Sequence, residues 1–218
     1  MKILVIDVGG THVKIKVQDQ DEVRKCPSGP DLTPGRMVEL VREAARDWQY
    51  DAVTIGYPGP VVNGNILLEP VNLGPGWVGF DFAAALGHPV KLINDAAMQA
   101  LGSYQGGRML FLGLGTGLGS TLILDGAVAP MELGHLPYKK GRTFEEYVGN
   151  AALKRLGRKK WQEAVFDVVG RLQHALLADY VVLGGGNVKK LAELPPGARA
   201  GDNSNAFTGG VRLWEGHG

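Results

Sequence analysis

The apolar residues of the chain fall into two kinds of pattern, and together they predict a mixed α/β fold. Two stretches have apolar residues at helical spacing, from Met37 to Trp48 and from Trp161 to Leu176. Other stretches are short, dense in apolar residues and bounded by glycine, proline or polar residues, as in buried strands. These lie at 2–8, 52–56, 90–93, 109–114 and 180–183.

Two of these strands run into glycine-rich turns that are followed by a second apolar strand. The first turn is Asp7-Val8-Gly9-Gly10-Thr11, before a strand at 13–17, and the second is 114–119, before a strand that extends to Leu124. Glycine lets the backbone approach phosphate oxygens and point N–H groups at them, and threonine adds a hydroxyl donor. Two such turns facing each other from two halves of the chain could hold a phosphate chain between them.

The remaining segments predict connections and helices around these strands. Residues 61–79 are rich in Gly, Pro and Asn and predict a loop, and Asp81 can cap a short helix that extends to Leu86. The strand at 90–93 delivers Asn94-Asp95 to a helix that ends near Gln105, and Asp125-Gly126 predicts a hairpin turn. The strand at 180–183 ends in Gly184-Gly185-Gly186, and we expect a helix to follow.

Both halves of the chain follow this one plan: a hairpin around a glycine-threonine turn, then helices and a further strand. The layout predicts an internal duplication with two α/β lobes, at 1–106 and 107–218, and a cleft between them.

Composition and charge narrow the class of protein. The chain has 218 residues, 44% of them apolar and 21% charged, and a net charge of +1, which gives no broad field for nucleic acid or an anionic membrane. Cys26 is the only cysteine, so a disulfide within the chain and a cysteine zinc cluster are excluded. No apolar stretch has the length of a membrane span, and no signal peptide is evident. We expect a soluble, cytoplasmic protein.

Five motifs carry a resemblance to a known family. They are Asp7–Lys14, Leu112–Gly119, Leu183–Asn187, Ile93–Ala96 and Glu132–His135. In this order and at this spacing the chain resembles the ROK family of sugar kinases, within the actin–hexokinase–heat-shock ATPase superfamily. The likeness covers nearly the whole chain and is strongest to the polyphosphate glucokinase branch.

The resemblance implies a fold and a reaction. The implied fold is a two-lobed, ribonuclease H-like duplication of the actin/hexokinase type. The implied reaction is transfer of a phosphoryl group from polyphosphate or ATP, with Mg²⁺, to the 6-hydroxyl of glucose, by a homodimer. Two alternatives stay open, a kinase for another hexose such as mannose, fructose or an N-acetylated amino sugar, and a non-catalytic sugar-binding pseudokinase.

The resemblance makes Asp95 the catalytic base. A sugar hydroxyl needs a carboxylate within hydrogen-bond reach to accept its proton. An Asn-Asp pair before an alanine-rich run would equally cap a helix. Asn94 is then a sugar ligand.

The resemblance also implies the other sugar-binding residues. Glu132 and His135 match the family's sugar loop, and Glu145 is aligned with a further sugar-binding glutamate, with Glu146 as the alternative. Gly59 and Asn72 are expected to shape the far wall of the sugar pocket.

The donor is expected to bind at glycine and threonine residues. These are Gly9, Gly10, Thr11, Gly115, Thr116, Gly117, Gly184, Gly185 and Gly186. Asp7 is expected to hold Mg²⁺ through water, and Lys14 either reaches phosphate or faces solvent from its strand.

The donor itself is left open, because the same turns could hold ATP or polyphosphate. The zinc cluster of many ROK members is absent, as it is in the polyphosphate branch. One concentration of basic residues could carry a polyanion or be an ordinary solvated face. It consists of Lys139, Lys140, Arg142, Lys154, Arg155, Arg158, Lys159 and Lys160.

Overall fold

The computed structural model describes residues 1–202 and 204–215, and these form two compact units. The first unit contains Met1–Met98 together with 206–215, and the second contains Gln99–Asn205. The division differs from the expected lobes of 1–106 and 107–218 because it falls within a helix and because the last helix belongs to the first unit. Residues 203 and 216–218 of the expected second lobe lie outside the described residues.

The first unit is built around one five-stranded sheet with the strand order β3-β2-β1-β4-β7. Its helices and strands are β1 (Ile3–Val8), β2 (His12–Val17), β3 (Arg24–Pro27), α1 (Pro34–Ala44), β4 (Ala52–Tyr57), β5 (Val61–Val62), β6 (Asn65–Ile66), α2 (Phe82–Leu86) and β7 (Val90–Asn94). β1, β4 and β7 are parallel, whereas β2 pairs antiparallel with both β1 and β3. The carboxyl ends of the three parallel strands therefore lie along one edge of the sheet.

Helix α3 (Asp95–Ser103) follows β7 directly, and the division between the units falls within it. The second unit then contains β8 (Arg108–Leu114), β9 (Leu118–Leu124), β10 (Ala127–Met131), α4 (Glu145–Val148), α5 (Asn150–Ala175), β11 (Tyr180–Gly184) and β12 (Ala198–Ala200). Its sheet has the order β10-β9-β8-β11-β12, with β8, β11 and β12 parallel and the other pairs antiparallel.

The two sheets repeat one plan. Each begins with a three-stranded antiparallel meander whose first strand becomes the centre of the sheet, and two parallel strands are added on its other side. This repeat confirms the predicted duplication of an α/β unit. Apolar residues fill a separate core in each unit, around Ile6 and Ile55 in the first and around Leu112 and Val165 in the second.

The final helix, α6 (Asn205–Arg212), returns the chain to the first unit. The buried hydroxyl of Thr54 on β4 donates to the carbonyl of Gly210, 2.7 Å away, and accepts from Trp214 Nε1 at 2.8 Å. A Cβ on Gly210 would lie 2.4 Å from Val5 Cγ1, so this helix packs closely against β1.

Two local predictions were wrong. The segment 61–79 contains a short hairpin, β5–β6, whose Asn63-Gly64 turn has positive φ at both residues, as in a type I′ turn. The expected helix after Gly186 is a single 3₁₀ turn, Val188–Lys190, because Pro195 and Pro196 soon follow and prolines do not continue a helix.

The helix predicted over 161–176 is confirmed, and a further helical segment precedes it. Helix α5 begins at Asn150 and is interrupted at Gly157, which has φ +74° and ψ 161°, and the part after this break extends to Ala175. Glycine adopts this conformation without a Cβ clash.

Among the described residues, no helix is both long enough and apolar enough to cross a membrane.

Candidate active site

Two predicted site carboxylates lie at the same edge of the first sheet. Asp7 is paired with Gly56 of β4, and Gly56 is paired in turn with Ile93 of β7, two residues before Asp95. A Cβ on Gly56 would lie 2.2 Å from Met98 Cε and 3.7 Å from the Cα of Asp95. Glycine at this position thus allows β4 to pass close beneath the start of α3.

Asp7 is a mostly buried carboxylate with one cationic neighbour. Its side chain is 14% exposed, and its Oδ2 lies 3.4 Å from Nζ of Lys14 on the paired strand β2. Burial raises the pKa of Asp7, and the nearby Lys14 ammonium opposes that rise. Lys14 therefore does not only face solvent, because its ammonium group pairs with the Asp7 carboxylate.

The first glycine turn is held by bonds to its own backbone and to Ser28. Gly9 N–H donates to the His12 carbonyl at 3.1 Å, and Ser28 Oγ donates to the Gly9 carbonyl at 2.6 Å. Asn72, from the 61–79 segment, reaches this turn, because its Cβ would lie 3.7 Å from a Cβ on Gly10. The structure thus brings a predicted sugar-wall residue beside a predicted phosphate turn.

Asn94 joins two parts of the first unit. Its Nδ2 donates to the Gly59 carbonyl at 3.0 Å, and its Oδ1 accepts from Ala97 N at 3.0 Å. The amide thus caps α3 and also holds the predicted sugar-wall residue Gly59. Asp95 is the first residue of α3, where its Oδ1 accepts from Ala96 N at 2.7 Å.

In the second unit, the turn at 115–117 lies against the third glycine run. The backbone N–H and the Nδ2 of Asn187 donate to the carbonyls of Leu114 and Gly115, each at 3.1 Å. Gly185 has φ +86°, and a Cβ on it would lie 2.4 Å from the Leu114 carbonyl oxygen. Only glycine fits at Gly185, so the exposed or half-exposed part of the predicted set, 115–117 and 185–186, forms one backbone surface. Gly184 is buried instead, and a Cβ on it would lie 2.4 Å from Phe111 Cζ.

Glu132, His135 and Glu145 also come together in the second unit. His135 Nδ1 lies 4.0 Å from Glu132 Oε2, and its Nε2 lies 3.9 Å from Glu145 Oε1. A Cβ on Gly117 would lie 2.5 Å from Glu145 Oε2. Glu145 therefore lies between the loop that carries Glu132 and His135 and the glycine turn at 115–117.

Glu146 has a different environment from its neighbour. Its carboxylate accepts from Thr143 N at 2.8 Å, and its own N–H donates to Thr143 Oγ1 at 3.4 Å. This reciprocal pair is a capping box at the start of α4. The two adjacent glutamates thus face different partners, and Glu145 is the one beside His135.

Two residues that hold loops of the candidate site were not predicted from the sequence. Ser120 is buried in β9, where its Oγ donates to the Met131 carbonyl and accepts from Leu133 N, at 2.8 and 3.0 Å, which fixes the loop that carries Glu132. Glu69 accepts three backbone N–H groups of the segment that carries Asn72. Neither residue lies in a recognisable motif, and only their partners in space reveal them.

The basic residues between Lys139 and Lys160 differ in their partners. Lys139 Nζ lies 2.8 Å from Asp167 Oδ2, and Arg155 donates to the Glu146 carbonyl at 2.6 Å. Arg158 donates through Nε to the Lys190 carbonyl, which joins α5 to the 3₁₀ turn after Gly186. Arg158 is therefore held beside that turn.

No group of three or more His, Cys, Asp or Glu side chains in residues 1–202 and 204–215 is arranged to hold a metal ion. Mg²⁺ keeps several waters and is commonly held by one or two carboxylates together with substrate phosphates. Asp7, beside the first glycine turn, fits that mode of binding.

Comparisons with known proteins identify the family of the chain. A sequence profile of the ROK family matches residues 3–154. The polyphosphate glucokinase of Mycobacterium tuberculosis is 26% identical over 213 residues, covering 88% of this chain and 80% of that protein. The bifunctional enzyme NanE/NanK of Brucella melitensis is 28% identical over 138 residues, which cover 57% of this chain and 27% of that protein.

A solved structure shares the fold. The inorganic polyphosphate/ATP-glucomannokinase from Arthrobacter sp. strain KM superposes with a TM-score of 0.81, at 24% identity, over 97% of each chain. This likeness confirms the predicted α/β fold class of the actin/hexokinase type. Since the family profile matches well over half of the chain, the protein belongs to the ROK family.

Proposed function

We propose that the protein is a sugar kinase that transfers a phosphoryl group from polyphosphate or ATP to the 6-hydroxyl of glucose. The observation that carries the proposal is the contact of Glu145 with both His135 and Gly117. It joins hydroxyl-binding side chains to a phosphate-binding turn within one unit. Relatives named as polyphosphate glucokinases support the same reaction.

In this reaction Asp95 is the general base. Its carboxylate accepts the proton of the sugar hydroxyl while that oxygen attacks the terminal phosphorus and the rest of the donor departs. Asn94 orients Asp95 by capping α3 and binds the sugar, and Gly59 and Asn72 line the sugar site from the same unit.

Three side chains of the second unit complete the proposed set of sugar-binding residues. Glu132 and Glu145 accept hydrogen bonds from ring hydroxyls, and His135, which lies between them, donates or accepts according to its tautomer. These groups fix which hydroxyl faces the donor, which is the chief source of rate in phosphoryl transfer.

The glycine turns bind the donor phosphates. Their backbone N–H groups and the hydroxyls of Thr11 and Thr116 donate to phosphate oxygens, and Lys14 adds positive charge. Asp7 would hold Mg²⁺ through water, and the bound ion would neutralise charge on the phosphates.

Polyphosphate as the donor is supported by the exposed cations of α5. Arg158, Lys159 and Lys160 are exposed, and Arg158 is bonded to the 3₁₀ turn that follows Gly186. A long polyanion could extend from the glycine surface along these side chains, whereas ATP would end before them.

A coupled assay of glucose 6-phosphate formation tests the proposal, with Mg²⁺ and with ATP and polyphosphate in parallel. Glucose should be phosphorylated with at least one donor. Faster turnover of mannose, fructose or N-acetylmannosamine would correct the substrate, and the match to the NanE/NanK enzyme makes the last sugar worth including. Folded protein that binds a hexose without turning it over would be a pseudokinase.

A further inference from the structure

We propose that Glu69 is a positioning residue of the sugar site, because it closes the loop that holds Asn72 beside the first glycine turn. The inference rests on the proposed function, since it assigns Glu69 to the sugar side of that reaction. Glu69 itself touches neither reactant in this proposal and acts through Asn72.

The carboxylate of Glu69 gathers three consecutive backbone N–H groups. Oε2 accepts from Gly76 and from Trp77, each at 3.0 Å, and Oε1 accepts from Val78 at 3.2 Å. These bonds, that from Trp77 first, lower the pKa of Glu69, so the group is an anion at neutral pH. One side chain thus closes the segment from Glu69 to Val78 into a ring.

The closed loop has an anchored side and a free side. Leu73 and Trp77 are buried, and Gly74 N–H donates to the Leu32 carbonyl at 3.0 Å. A Cβ on Gly74 would lie 3.2 Å from the Leu32 backbone, so the loop fits closely there. Asn72, next to Leu73, is exposed and is the residue that approaches Gly10.

The carboxylate acts where the backbone of the loop has no regular hydrogen-bond partners. Residues 67–81 belong to no helix or strand, so their backbone N–H groups have no ladder partners to hold them. A carboxylate that accepts three of these N–H groups restricts the motion of the backbone and fixes the end of the loop opposite Asn72. Loss of the carboxylate should therefore let Asn72 move relative to Gly10.

Two measurements on Glu69→Ala and Glu69→Gln test this role. The first is the dissociation constant of glucose, measured by calorimetry without donor, together with kcat and the KM values of glucose and ATP. The second is hydrogen exchange at the amides of Gly76, Trp77 and Val78, which reports the closure without any activity. Glu43→Ala is the matched control, since Glu43 is an exposed glutamate whose partner is Arg46 on the surface of α1.

The expected result is a loss of sugar affinity with little change elsewhere. Glu69→Ala should bind glucose about tenfold more weakly, as misplacement of one positioning group can do, and the three amides should exchange faster. Glu69→Gln should lie between, because its single carbonyl oxygen cannot accept from all three N–H groups. The KM of ATP and the kcat at saturating glucose should stay within about twofold of the wild type, as expected when binding of the ground state and of the transition state is weakened equally. If Glu69→Ala does not fold, the test passes to Glu69→Gln.

Three results would overturn the inference. Unchanged exchange at the three amides would mean that Glu69 does not close the loop. Faster exchange with unchanged glucose affinity would mean that the closure does not position the sugar site. Failure of the unaltered protein to bind any hexose would instead overturn the proposed function, and the role of Glu69 with it, while the exchange rates would still show whether the closure exists.

Discussion

At the scale of single residues, several of the side chains proposed for catalysis also hold the local fold. Asn94 caps α3 and binds the Gly59 carbonyl, and Asp95 accepts from the first N–H group of the same helix. A substitution there can act through chemistry or through the cap. An informative variant therefore removes the proton-accepting group and keeps the hydrogen bond that caps the helix.

Asp95→Asn is such a variant. The asparagine Oδ1 can still accept from Ala96 N, so we expect the fold and most of the sugar affinity to remain. The amide cannot take the hydroxyl proton, and kcat should fall about 10²–10⁴-fold, the usual value of a general base. Steady-state kinetics and calorimetry with glucose measure the two effects.

Asp81→Asn is the control for this change. Asp81 caps α2 by accepting from Ala84 N at 2.9 Å, and it lies in the same unit. Its variant should have nearly wild-type kcat. If Asp95→Asn also stayed within about threefold of the wild type, a general-base role would be excluded and Asp95 would be only a cap.

The neighbours Glu145 and Glu146 offer a second matched pair. Glu145→Ala should weaken sugar binding by about 1–3 kcal/mol, because sugar hydroxyls lose an acceptor. This corresponds to about a five- to 150-fold rise in the dissociation constant. Glu146→Ala should leave sugar affinity unchanged, since its carboxylate is bonded to Thr143 N.

Calorimetry with glucose on both variants decides between the two glutamates. Weaker binding by Glu146→Ala alone would assign the sugar contact to Glu146. Equal affinity in both variants and the wild type would remove this pair from the sugar site.

The sequence could predict these residues only up to a point. The motifs with Gly9, Thr116 and Glu132 are local in sequence, so the glycine-rich turns and, for Glu132, the resemblance to the family were enough to name them. The separation of Glu145 from Glu146 depends on partners at Thr143 and Gly117, and a pattern of adjacent glutamates does not contain that information.

At the scale of helices and strands, the sequence predicted the strands that have a dense apolar pattern. It missed the features that depend on the conformation of a turn. The parallel strands β1, β4 and β11 are dense in apolar residues, and their positions were predicted nearly to the residue. The β5–β6 hairpin is only two residues long on each side, so its Asn-Gly turn was the sole indication of it. The break at Gly157 depends on the conformation of one residue, which apolar spacing does not reveal.

The exposed cations of helix α5 allow a test of polyphosphate as the donor. Replacing Arg158, Lys159 and Lys160 by alanine should raise the KM of long polyphosphate and change that of ATP little. The KM of polyphosphate should also rise steeply with salt in the wild type and less steeply in the variant, because several charge contacts are screened together.

Replacement of Arg36, Arg42 and Arg46 by alanine is the charge-matched control. These three arginines lie on or just after α1, in the first unit, and their loss changes net charge by the same amount. Kinetics with both donors at several salt concentrations make the comparison. Equal effects of the two triple variants, or none from either, would reduce the cations of α5 to a solvated face.

At the scale of the whole molecule, the units are not simple halves of the sequence. Helix α6 follows the entire second unit but packs with the first, where Gly210 lies against Val5. The layout of strands and turns predicted the duplication but not this return, because α6 is short and resembles any amphipathic surface helix.

Gly210→Ala tests the importance of this packing. The added Cβ would lie 2.4 Å from Val5 Cγ1 and 3.1 Å from Val5 Cβ, and a β-branched side chain cannot move aside without backbone displacement. We expect a loss of about 1–3 kcal/mol in the free energy of unfolding, as for overpacked cores. Thr208→Ala, at an exposed position of the same helix, should change stability little.

Calorimetric melting of the two variants measures the difference, and hydrogen exchange at β1 and β4 locates it. Equal melting temperatures for Gly210→Ala and the wild type would mean that the contact between α6 and β1 accommodates the added methyl group and is not tightly packed.

The return of α6 also sets an order of events on the ribosome. The buried hydroxyl of Thr54 is synthesised early, but its acceptor, the Gly210 carbonyl, emerges only after all of 99–202. Every strand of the second sheet is available before that moment, although this unit lies later in the sequence. The earlier-synthesised unit therefore cannot complete its packing until the chain of the later one has been made, and until then it is an incompletely packed nascent chain that chaperones could recognise.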